Sequence, residues 1–333
     1  MVNGAEVSSS GRKPSLRLGA IGLGRMGAPM LGRWLTAGYS AWVWARRQET
    51  LESLQSVIGP LQRPRLHIAQ SIAELQTQVD VVILNVSDTP DVEALVNEIL
   101  SAREVLSGKI RDRPSASIDP VLTASGVVEH RSRLIIVDHS TIDATATQCL
   151  ADQASALGVD FIDAPVSGGV IGAETGTLTV FLGGDEAAIE QISPWLDCVA
   201  SARTHLGPAG AGQIGKMTNQ ILIGASLVAL GDVLNLARVH GIDAARLREA
   251  LLGGFAASRV LDHHGGKLIA DDRQPGFTVA LHAKDAALVR ATLKQAGLDI
   301  RLSDLVCEAL DRASMAGEER NDSSRLACYR SAS

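Results

Sequence analysis

The sequence predicts an α/β, Rossmann-type doubly wound N-terminal domain followed by an all-α C-terminal domain, with a long buried helix joining the two. Short apolar runs alternate with helical patterns as far as residue 206, which is typical of a parallel sheet covered by helices. A glycine-rich turn follows the first apolar run, and the chain after Gly241 has helical periodicity throughout. We therefore expect domains over 15–206 and 207–333, preceded by a flexible tail over 1–14.

Composition and charge narrow the classes of partner. The 333 residues are 46% hydrophobic and 20% charged, which suits a soluble globular chain with a large core. A formal net charge of −6 and an aromatic content of 3% argue against a nucleic-acid surface. Four widely spaced cysteines predict reduced thiols in a cytoplasmic protein, and the eight histidines show no metal-ligand spacing. The polar residues 1–14 contain no secretory signal.

The first structured unit is a strand, a glycine-rich turn and a helix. The run 16–21 is predicted to form a buried strand, and a GxGxxG turn opens a helix directly after it. Gly22 permits a tight turn, Gly24 lets a pyrophosphate approach the backbone, and Gly27 lets the helix pack closely on the strand. A glycine-rich turn without a ligand is the alternative. The predicted dinucleotide-binding residues here are Gly22, Leu23, Gly24, Arg25, Met26 and Gly27.

The end of the second predicted strand, 41–44, indicates which dinucleotide binds. An NAD enzyme commonly presents Asp or Glu there to the ribose hydroxyls. This sequence instead has Arg46 and Arg47, with no carboxylate before Glu49. A guanidinium can hold a 2′-phosphate with two hydrogen bonds, whereas a carboxylate would repel it. We therefore predict NADPH as the preferred cofactor, with NADH possible; two solvated arginines are the alternative.

Polar residues follow several of the other predicted strands, which span 79–85, 133–138, 159–163 and 177–182. Ser140 and Thr141 follow one strand where the nicotinamide should lie, and Val86 and Ser87 follow another. The sequence Ser167-Gly168-Gly169 exposes backbone N–H groups that can bind a carboxylate. Turn chemistry alone is the alternative for both serine segments. Residues 109–132 are interpreted as a surface excursion without an assigned function.

A long helix from Gly212 to Gly241 is predicted to connect the domains. Apolar residues fall on nearly every face of it, which predicts burial on all sides. Its uncharged stretch is shorter than the roughly 20 residues that a membrane span requires. Near its start Lys216, Asn219 and Gln220 share one face at spacings i, i+3 and i+4. An ammonium and two amides there predict a site, although a solvated first turn is the alternative.

Everything after this helix is predicted to be helical. The expected helices cover 243–252, 256–269, 282–296 and 301–313. A helical domain attached through one long helix needs a partner surface. We therefore predict a homodimer or a homotetramer.

Five segments resemble the β-hydroxyacid dehydrogenase family, and the likeness covers nearly the whole chain from Leu16 onward. The segments are 22–30, 137–142, 163–169, 176–179 and 212–220. The resemblance implies reversible hydride transfer at a carbon β to a carboxylate, with Lys216 transferring the proton and Lys284 near cofactor and substrate. By the same resemblance, Ser140, Ser167, Gly168, Gly169 and Asn219 would hold the substrate. We also expect Gln220 to bind the substrate, and we expect Asn219 to act with Lys216 in catalysis by orienting the ammonium or the carbonyl.

Four segments are most similar to the branch of this family that reduces tartronate semialdehyde to glycerate: 216–220, 253–259, 275–277 and 281–285. The same catalytic set would serve the 3-hydroxyisobutyrate branch, which differs in pocket shape. A related imine reductase or a non-catalytic NADP-binding protein is a further alternative, and Lys216 counts against both. Hydride delivery to an aldehyde leaves an alkoxide, which a nearby ammonium can stabilise and protonate. The expected substrate is therefore a small anionic semialdehyde or hydroxy acid.

Overall fold

The structure is a computed structural model that describes residues 16–111, 121–122, 128–129 and 133–329. The predicted tail over 1–14 lies outside these residues, as does most of the predicted excursion over 109–132. The described part of that excursion contributes the end of one helix and two short paired strands, β5 (Val121–Leu122) and β6 (Val128–Glu129).

Within the described residues, nine strands form one sheet. Their bounds are β1 Leu18–Ile21, β2 Ala41–Trp44, β3 Leu66–Ile68, β4 Val81–Leu84, β7 Ile135–Asp138, β8 Asp160–Asp163, β9 Val166–Ser167, β10 Leu178–Gly183 and β11 Ala200–Gly207. The order β3-β2-β1-β4-β7-β8 is parallel throughout, and β10 joins β8 in the antiparallel sense. The strand order reverses between β1 and β4, which is where doubly wound sheets bind their ligands. The predicted α/β class is confirmed.

Helices cover both faces of the sheet. They are α1 Gly27–Thr36, α2 Gln48–Val57, α3 Ile72–Gln78, α4 Thr89–Arg111, α5 Ala144–Ala156, α6 Gly169–Thr175 and α7 Glu186–Val199, with a 3₁₀ turn at Arg63–Arg65. One apolar core contains Trp34 and Trp195, and a second contains Ile72 and Ile99 on the other face. Because both faces are covered, β1, β4 and β7 are buried at every residue, which explains why their sequences are apolar as far as Asp138, the buried carboxylate that ends β7.

Three strands of the sheet were absent from the sequence prediction: β3, β9 and β11. β9 has only two residues, both half-buried, which is too short for a periodic pattern. β3 has three half-buried residues around His67, so it lacks an apolar run. β11 lies at the sheet edge with most of its residues exposed, and its sequence is accordingly polar. Edge strands bury little surface, and hydrophobic patterning therefore does not reveal them.

The C-terminal part is helical, as predicted. Its helices are α8 Ala211–Val239, α9 Ala244–Leu252, α10 Arg259–Ile269, α11 Val279–Gln295 and α12 Arg301–Met315, followed by a 3₁₀ segment at Ser323–Cys328. α8 lies between the sheet and the other helices, packing against β10 on one side and α11 and α12 on another. Glycines allow this close packing, since a Cβ at Gly224 would lie 2.4 Å from the Val306 side chain.

The prediction that α8 is buried on all sides is wrong for the single chain. Leu222, Leu236 and Val239 are 68%, 61% and 66% exposed. The apolar residues do fall on every face, but the sheet and α10–α12 cover only part of the circumference. By length and mean hydropathy α8 would also satisfy a membrane span. Its covered side packs on β10, α11 and α12.

Candidate active site

The turn between β1 and α1 has the geometry that a pyrophosphate-binding loop requires. Gly22 has φ +90°, and a Cβ there would lie 2.1 Å from the Asn85 carbonyl oxygen. A Cβ at Gly27 would lie 2.0 Å from the Gly22 carbonyl oxygen, so both positions require glycine. Gly24 has no heavy atom within 4 Å of its ideal Cβ position, which leaves its backbone open to a ligand. These residues therefore fit a dinucleotide phosphate at the N-terminus of α1.

The other residues of this turn point away from the expected phosphate position or contact the C-terminal part. Leu23 is buried in the core of the sheet domain, and Met26 packs against the same core. The Arg25 guanidinium donates to the Pro275 carbonyl oxygen in the loop before α11. The buried Leu23 can consequently meet a cofactor only through its backbone atoms, whereas Met26 is partly exposed, and Arg25 links the turn to the helical domain.

Arg46 and Arg47 lie at the carboxyl end of β2, and Arg47 is the residue immediately before α2. Both side chains are exposed. No hydrogen bond or ion pair of either side chain is found among the described residues, so both guanidinium groups are available to an anion at this strand end.

Ser140 connects two strand ends to α8. Its Oγ accepts from the Val86 backbone N–H at 2.9 Å, and its own N–H donates to Asp138 Oδ1 at 2.9 Å. Gln213, in the first turn of α8, donates from Nε2 to the Ser140 carbonyl oxygen at 2.9 Å. Burial raises the pKa of Asp138 to about 7, although the hydrogen bonds from Ser140 act in the opposite direction. These hydrogen bonds fix the positions of Val86 and Ser140 at the strand ends where the nicotinamide is predicted to bind.

Lys284 on α11 contacts the same strand ends from the helical domain. Its ammonium donates to the Ser87 carbonyl oxygen at 3.0 Å and to the Thr141 carbonyl oxygen at 2.6 Å. It also forms an ion pair with Asp285 at 3.0 Å. Lys284 therefore joins the ends of β4 and β7 to the helical domain.

Lys216 and its amide neighbours form a connected polar cluster on α8. Lys216 Nζ donates to Gln220 Oε1 at 3.1 Å, and Asn219 Nδ2 donates to the same oxygen at 3.0 Å. Gln220 Nε2 in turn donates to Asp285 Oδ2 at 2.7 Å. Gln220 thus orients the ammonium and couples it to a buried carboxylate.

The Lys216 side chain sits in a nearly dry environment, since the residue is only 7% exposed. Its Nζ lies 5.9 Å from the centre of the Phe277 ring. Burial lowers the pKa of Lys216; the nearby Asp285 carboxylate raises it in part, and Lys284 lowers it further. A lysine whose pKa is shifted toward neutrality is suited to donate and accept a proton.

The segment Ser167–Gly169 lies beside this cluster. Ser167 Oγ donates to Asn219 Oδ1 at 3.4 Å, which links β9 to α8. Gly168 and Gly169 have φ of +133° and +62°, a conformation that L side chains rarely adopt. The contacts therefore join Ser167, Asn219, Gln220 and Lys216 in one place, whereas Arg46 and Arg47 lie at the end of β2.

Several residues at this place were assigned no role from the sequence. Asp163, at the end of β8, is fully buried and accepts from the backbone N–H groups of Gly210 and Gln213 at 2.8 and 2.9 Å, which anchors the start of α8. Phe277 and Asp285 lie in the segments 275–277 and 281–285, which carried the family resemblance but were given no role of their own. The sequence signals available for them were a carboxylate at the end of an apolar strand, for Asp163, and a carboxylate inside a predicted helix, for Asp285. Their partners are distant in sequence and could not be identified from it.

Comparisons with known proteins match both halves of the chain. A family model described as the NAD-binding domain of 6-phosphogluconate dehydrogenase matches residues 17–110 and 113–207. A second, described as NAD-binding of NADP-dependent 3-hydroxyisobutyrate dehydrogenase, matches residues 210–329. The chain is 34% identical to the 2-hydroxy-3-oxopropionate reductase of Escherichia coli, over 93% of this chain and 96% of that protein.

Two solved structures share the fold. The 3-hydroxyisobutyrate dehydrogenase of Mycobacterium tuberculosis is 24% identical, with a TM-score of 0.77 over 94% of this chain and 98% of that chain. The 3-hydroxyisobutyrate dehydrogenase of Salmonella typhimurium is 26% identical, with a TM-score of 0.71 over 94% of this chain and 99% of that chain.

The Rossmann-type sheet, the glycine turn and the matched domains define an NAD(P)-dependent oxidoreductase that acts on CH–OH groups. No group of three or more metal-ligating side chains occurs within the described residues. The chain belongs to the β-hydroxyacid dehydrogenase family, in the group that resembles 3-hydroxyisobutyrate dehydrogenase. The resemblance inferred from the sequence motifs is thereby confirmed.

Proposed function

We propose that this enzyme reduces small β-semialdehyde carboxylates with NADPH, and that tartronate semialdehyde, reduced to glycerate, is its preferred substrate. One observation carries the proposal: a buried ammonium, Lys216, is held by an amide at the mouth of α8 beside the Ser167–Gly169 turn. The 34% identity to a 2-hydroxy-3-oxopropionate reductase supports the choice of substrate within the family.

Lys216 is the proposed general acid for reduction. A nicotinamide held at the strand end of Ser140 and Thr141 would supply the hydride, and hydride addition leaves negative charge on the former aldehyde oxygen. Lys216 stabilises that oxygen and donates its Nζ proton to it, so its effect is greatest as the transition state is approached. Gln220 keeps the ammonium aimed, because its Oε1 accepts from Nζ while its Nε2 donates to Asp285. In the reverse reaction neutral Lys216 accepts the hydroxyl proton.

The substrate carboxylate is proposed to bind at Ser167, Gly168 and Gly169. The left-handed φ angles of the two glycines expose backbone N–H groups, and the Ser167 hydroxyl adds a donor. Asn219 contacts both Ser167 and Gln220, so it can orient the substrate between the carboxylate end and Lys216. Ser140 and Gln220 complete the proposed substrate contacts. Holding the carboxylate aligns the carbonyl for reaction.

The test is the loss of reduced-cofactor absorbance with tartronate semialdehyde, run with NADPH and NADH side by side. Methylmalonate semialdehyde and succinic semialdehyde serve as comparison substrates. We expect the highest kcat/KM with tartronate semialdehyde and NADPH. Higher kcat/KM for another semialdehyde would retain the family and replace the substrate, whereas turnover of none would contradict the proposal.

The second candidate is a 3-hydroxyisobutyrate dehydrogenase. It is favoured by the family model that matches 210–329 and by the Salmonella typhimurium structure. Because both activities use the same catalytic set, the methylmalonate semialdehyde arm of the assay decides between them.

We also propose that the enzyme is a cytoplasmic homodimer or homotetramer. Ile214, Leu222, Val233 and Leu236 fall on one face of α8 and are all exposed in the single chain. A second copy would remove this apolar stripe from water. The four cysteines form no disulfide, which suits a reducing compartment. Light scattering that gave the mass of a monomer at assay concentration would contradict the oligomer.

A further inference from the structure

The loop between α10 and α11, residues 270–278, touches both halves of the candidate site. Phe277 lies with its ring centre 5.9 Å from Lys216 Nζ. Two residues earlier, the Pro275 carbonyl oxygen accepts from Arg25 of the glycine-rich turn. Whatever holds this loop in place therefore controls the water access of Lys216 and one side of the phosphate-binding turn.

The C-terminal segment, residues 318–329, holds the loop by backbone pairing. The Ser323 N–H donates to the Phe277 carbonyl oxygen at 2.7 Å, and the Asp322 N–H donates to the Arg273 carbonyl oxygen at 3.2 Å. Thr278 and Asp322 form an antiparallel bridge. These contacts are about 45 residues apart in sequence, so the loop conformation depends on tertiary structure.

Asp322 is the central side chain of this attachment. Its carboxylate is fully buried, and Oδ2 accepts from the Gly276 N–H at 2.9 Å and from Lys267 Nζ at 3.1 Å. Oδ1 accepts from the Ser324 N–H at 3.1 Å and lies 3.4 Å from His264 Nδ1. Burial alone would raise the pKa of Asp322, but the contacts with His264, Gly276 and Ser324 outweigh it and hold the pKa well below its usual range. A buried carboxylate with these donors remains ionised and rigid.

Lys267 extends the attachment to the loop backbone. Besides its ion pair with Asp322, its ammonium donates to the Gln274 carbonyl oxygen. Asp322 and Lys267 together therefore bind the loop at Gln274 and Gly276. These two residues flank Pro275, and Gly276 immediately precedes Phe277.

We infer that Asp322 is a positioning residue for the reaction. It holds loop 270–278 so that Phe277 keeps water from Lys216 and Pro275 braces the glycine-rich turn through Arg25. The inference rests on the proposed proton-transfer role of Lys216. Asp322 does not contact the reacting atoms; it acts through the loop on the protonation of Lys216 and on cofactor binding.

The decisive variant is Asp322→Asn. The volume is unchanged, but whichever way the amide is oriented, its NH₂ faces donors: Gly276 and Lys267 on one side, Ser324 and His264 on the other. Glu318→Gln is the matched control. Glu318 is a buried carboxylate of the same segment that accepts from Asn321, Arg325 and Tyr329. Glu318 contacts the loop directly at Arg273, 3.7 Å away, and indirectly through Arg325, which pairs with Asp271; neither contact involves residues 274–277.

Two measurements separate positioning from general stability. The pKa of Lys216 is followed by NMR after reductive ¹³C-methylation, with Lys216→Arg used to assign its signal. NADPH affinity is measured by fluorescence titration without substrate. In Asp322→Asn we expect the pKa of Lys216 to rise by about one unit as water reaches it. We expect the Kd for NADPH to rise about fivefold as the Arg25 contact loosens. Glu318→Gln should change neither value, even where it lowers the melting temperature equally.

Equal shifts in the two variants, or no shift in Asp322→Asn, would overturn the inference. If Asp322→Asn does not fold, Lys267→Gln gives the same test with smaller shifts in the same direction, and their absence would also overturn it. Because neither readout requires turnover, an enzyme that reduced no semialdehyde would refute the proposed function while leaving the effect of Asp322 on Lys216 measurable.

Discussion

The two halves of the candidate site differ in the groups that they present to a ligand: backbone in one half and side chains in the other. The cofactor turn over 22–27 offers backbone N–H groups, and its glycines are required because neighbouring backbone atoms leave no space for a Cβ at two of them. The cluster around Lys216 offers side chains, and its properties come from Asp285 and Phe277, more than 60 residues away in the chain. A backbone site is specified by a short motif, whereas a side-chain site of this kind depends on how distant elements pack.

This difference also predicts how each half responds to substitution. Removing a side chain from the cluster should remove chemistry while cofactor binding persists. Adding a methyl group to the turn should weaken cofactor binding and leave the proton-transfer chemistry intact. The following three sets of variants test that contrast and the choice of cofactor, beginning with the largest expected effect.

Lys216→Ala should lower kcat by roughly a thousandfold, since a positioned general acid contributes about 10²–10⁴ in rate. NADPH affinity should stay within about twofold, because the cofactor turn does not use this side chain. Steady-state kinetics and fluorescence titration measure the two effects. Reduction by the wild type should slow as pH rises through the lowered pKa of Lys216, where the donating ammonium is lost. The residual activity of the variant should lack this dependence.

Lys216→Arg is the control for charge alone. It retains a cation, but a guanidinium does not give up its proton in this pH range. We expect it to be as slow as Lys216→Ala. Near-native turnover by either variant would show that Lys216 does not transfer the proton.

Gly24→Ala and Gly22→Ala form a matched pair within the turn. Gly24 has open space at its Cβ position, so alanine should leave stability unchanged and raise the Kd for NADPH by about 10- to 100-fold by blocking the pyrophosphate. Gly22 has φ +90° and no space, so alanine should also cost about 2–3 kcal/mol of unfolding free energy. Urea unfolding and cofactor titration distinguish the two. Unchanged affinity in Gly24→Ala would contradict the assigned phosphate position.

Replacing Arg46 and Arg47 by alanine should have the smallest of the three effects. Both side chains are exposed, so folding should be unaffected. We expect the ratio of kcat/KM for NADPH to that for NADH to fall about tenfold, as expected when a charge-assisted contact with the 2′-phosphate is lost. Arg65→Ala, at another exposed arginine, is the control. An unchanged ratio in the double variant would remove the basis for the NADPH preference.

The sequence predicted the six strands that lie in the interior of the sheet, β1, β2, β4, β7, β8 and β10. β1, β4 and β7 are buried at every residue, so their sequences are nearly continuous apolar runs, with Asp138 at the end of β7 as the buried charged exception. β3 and β11 escaped prediction because they are the two edges of the sheet, one half-buried and the other exposed, and β9 because it has only two residues. The predicted burial of α8 failed for a related reason: an apolar surface shows that burial is favourable but does not say which element provides the cover.

The sequence by itself determined the features that depend on neighbours in the chain. These are the strand–turn–helix at Gly22–Gly27, the shared face of Lys216, Asn219 and Gln220, and the division into sheet and helices. Only the tertiary structure decided what surrounds them. It set Asp285 and Phe277 beside Lys216, joined Arg25 to Pro275, and buried Asp322 against the loop that carries Phe277. Backbone conformation and helical periodicity are local, whereas burial and charge environment arise from segments that meet only when the chain is folded.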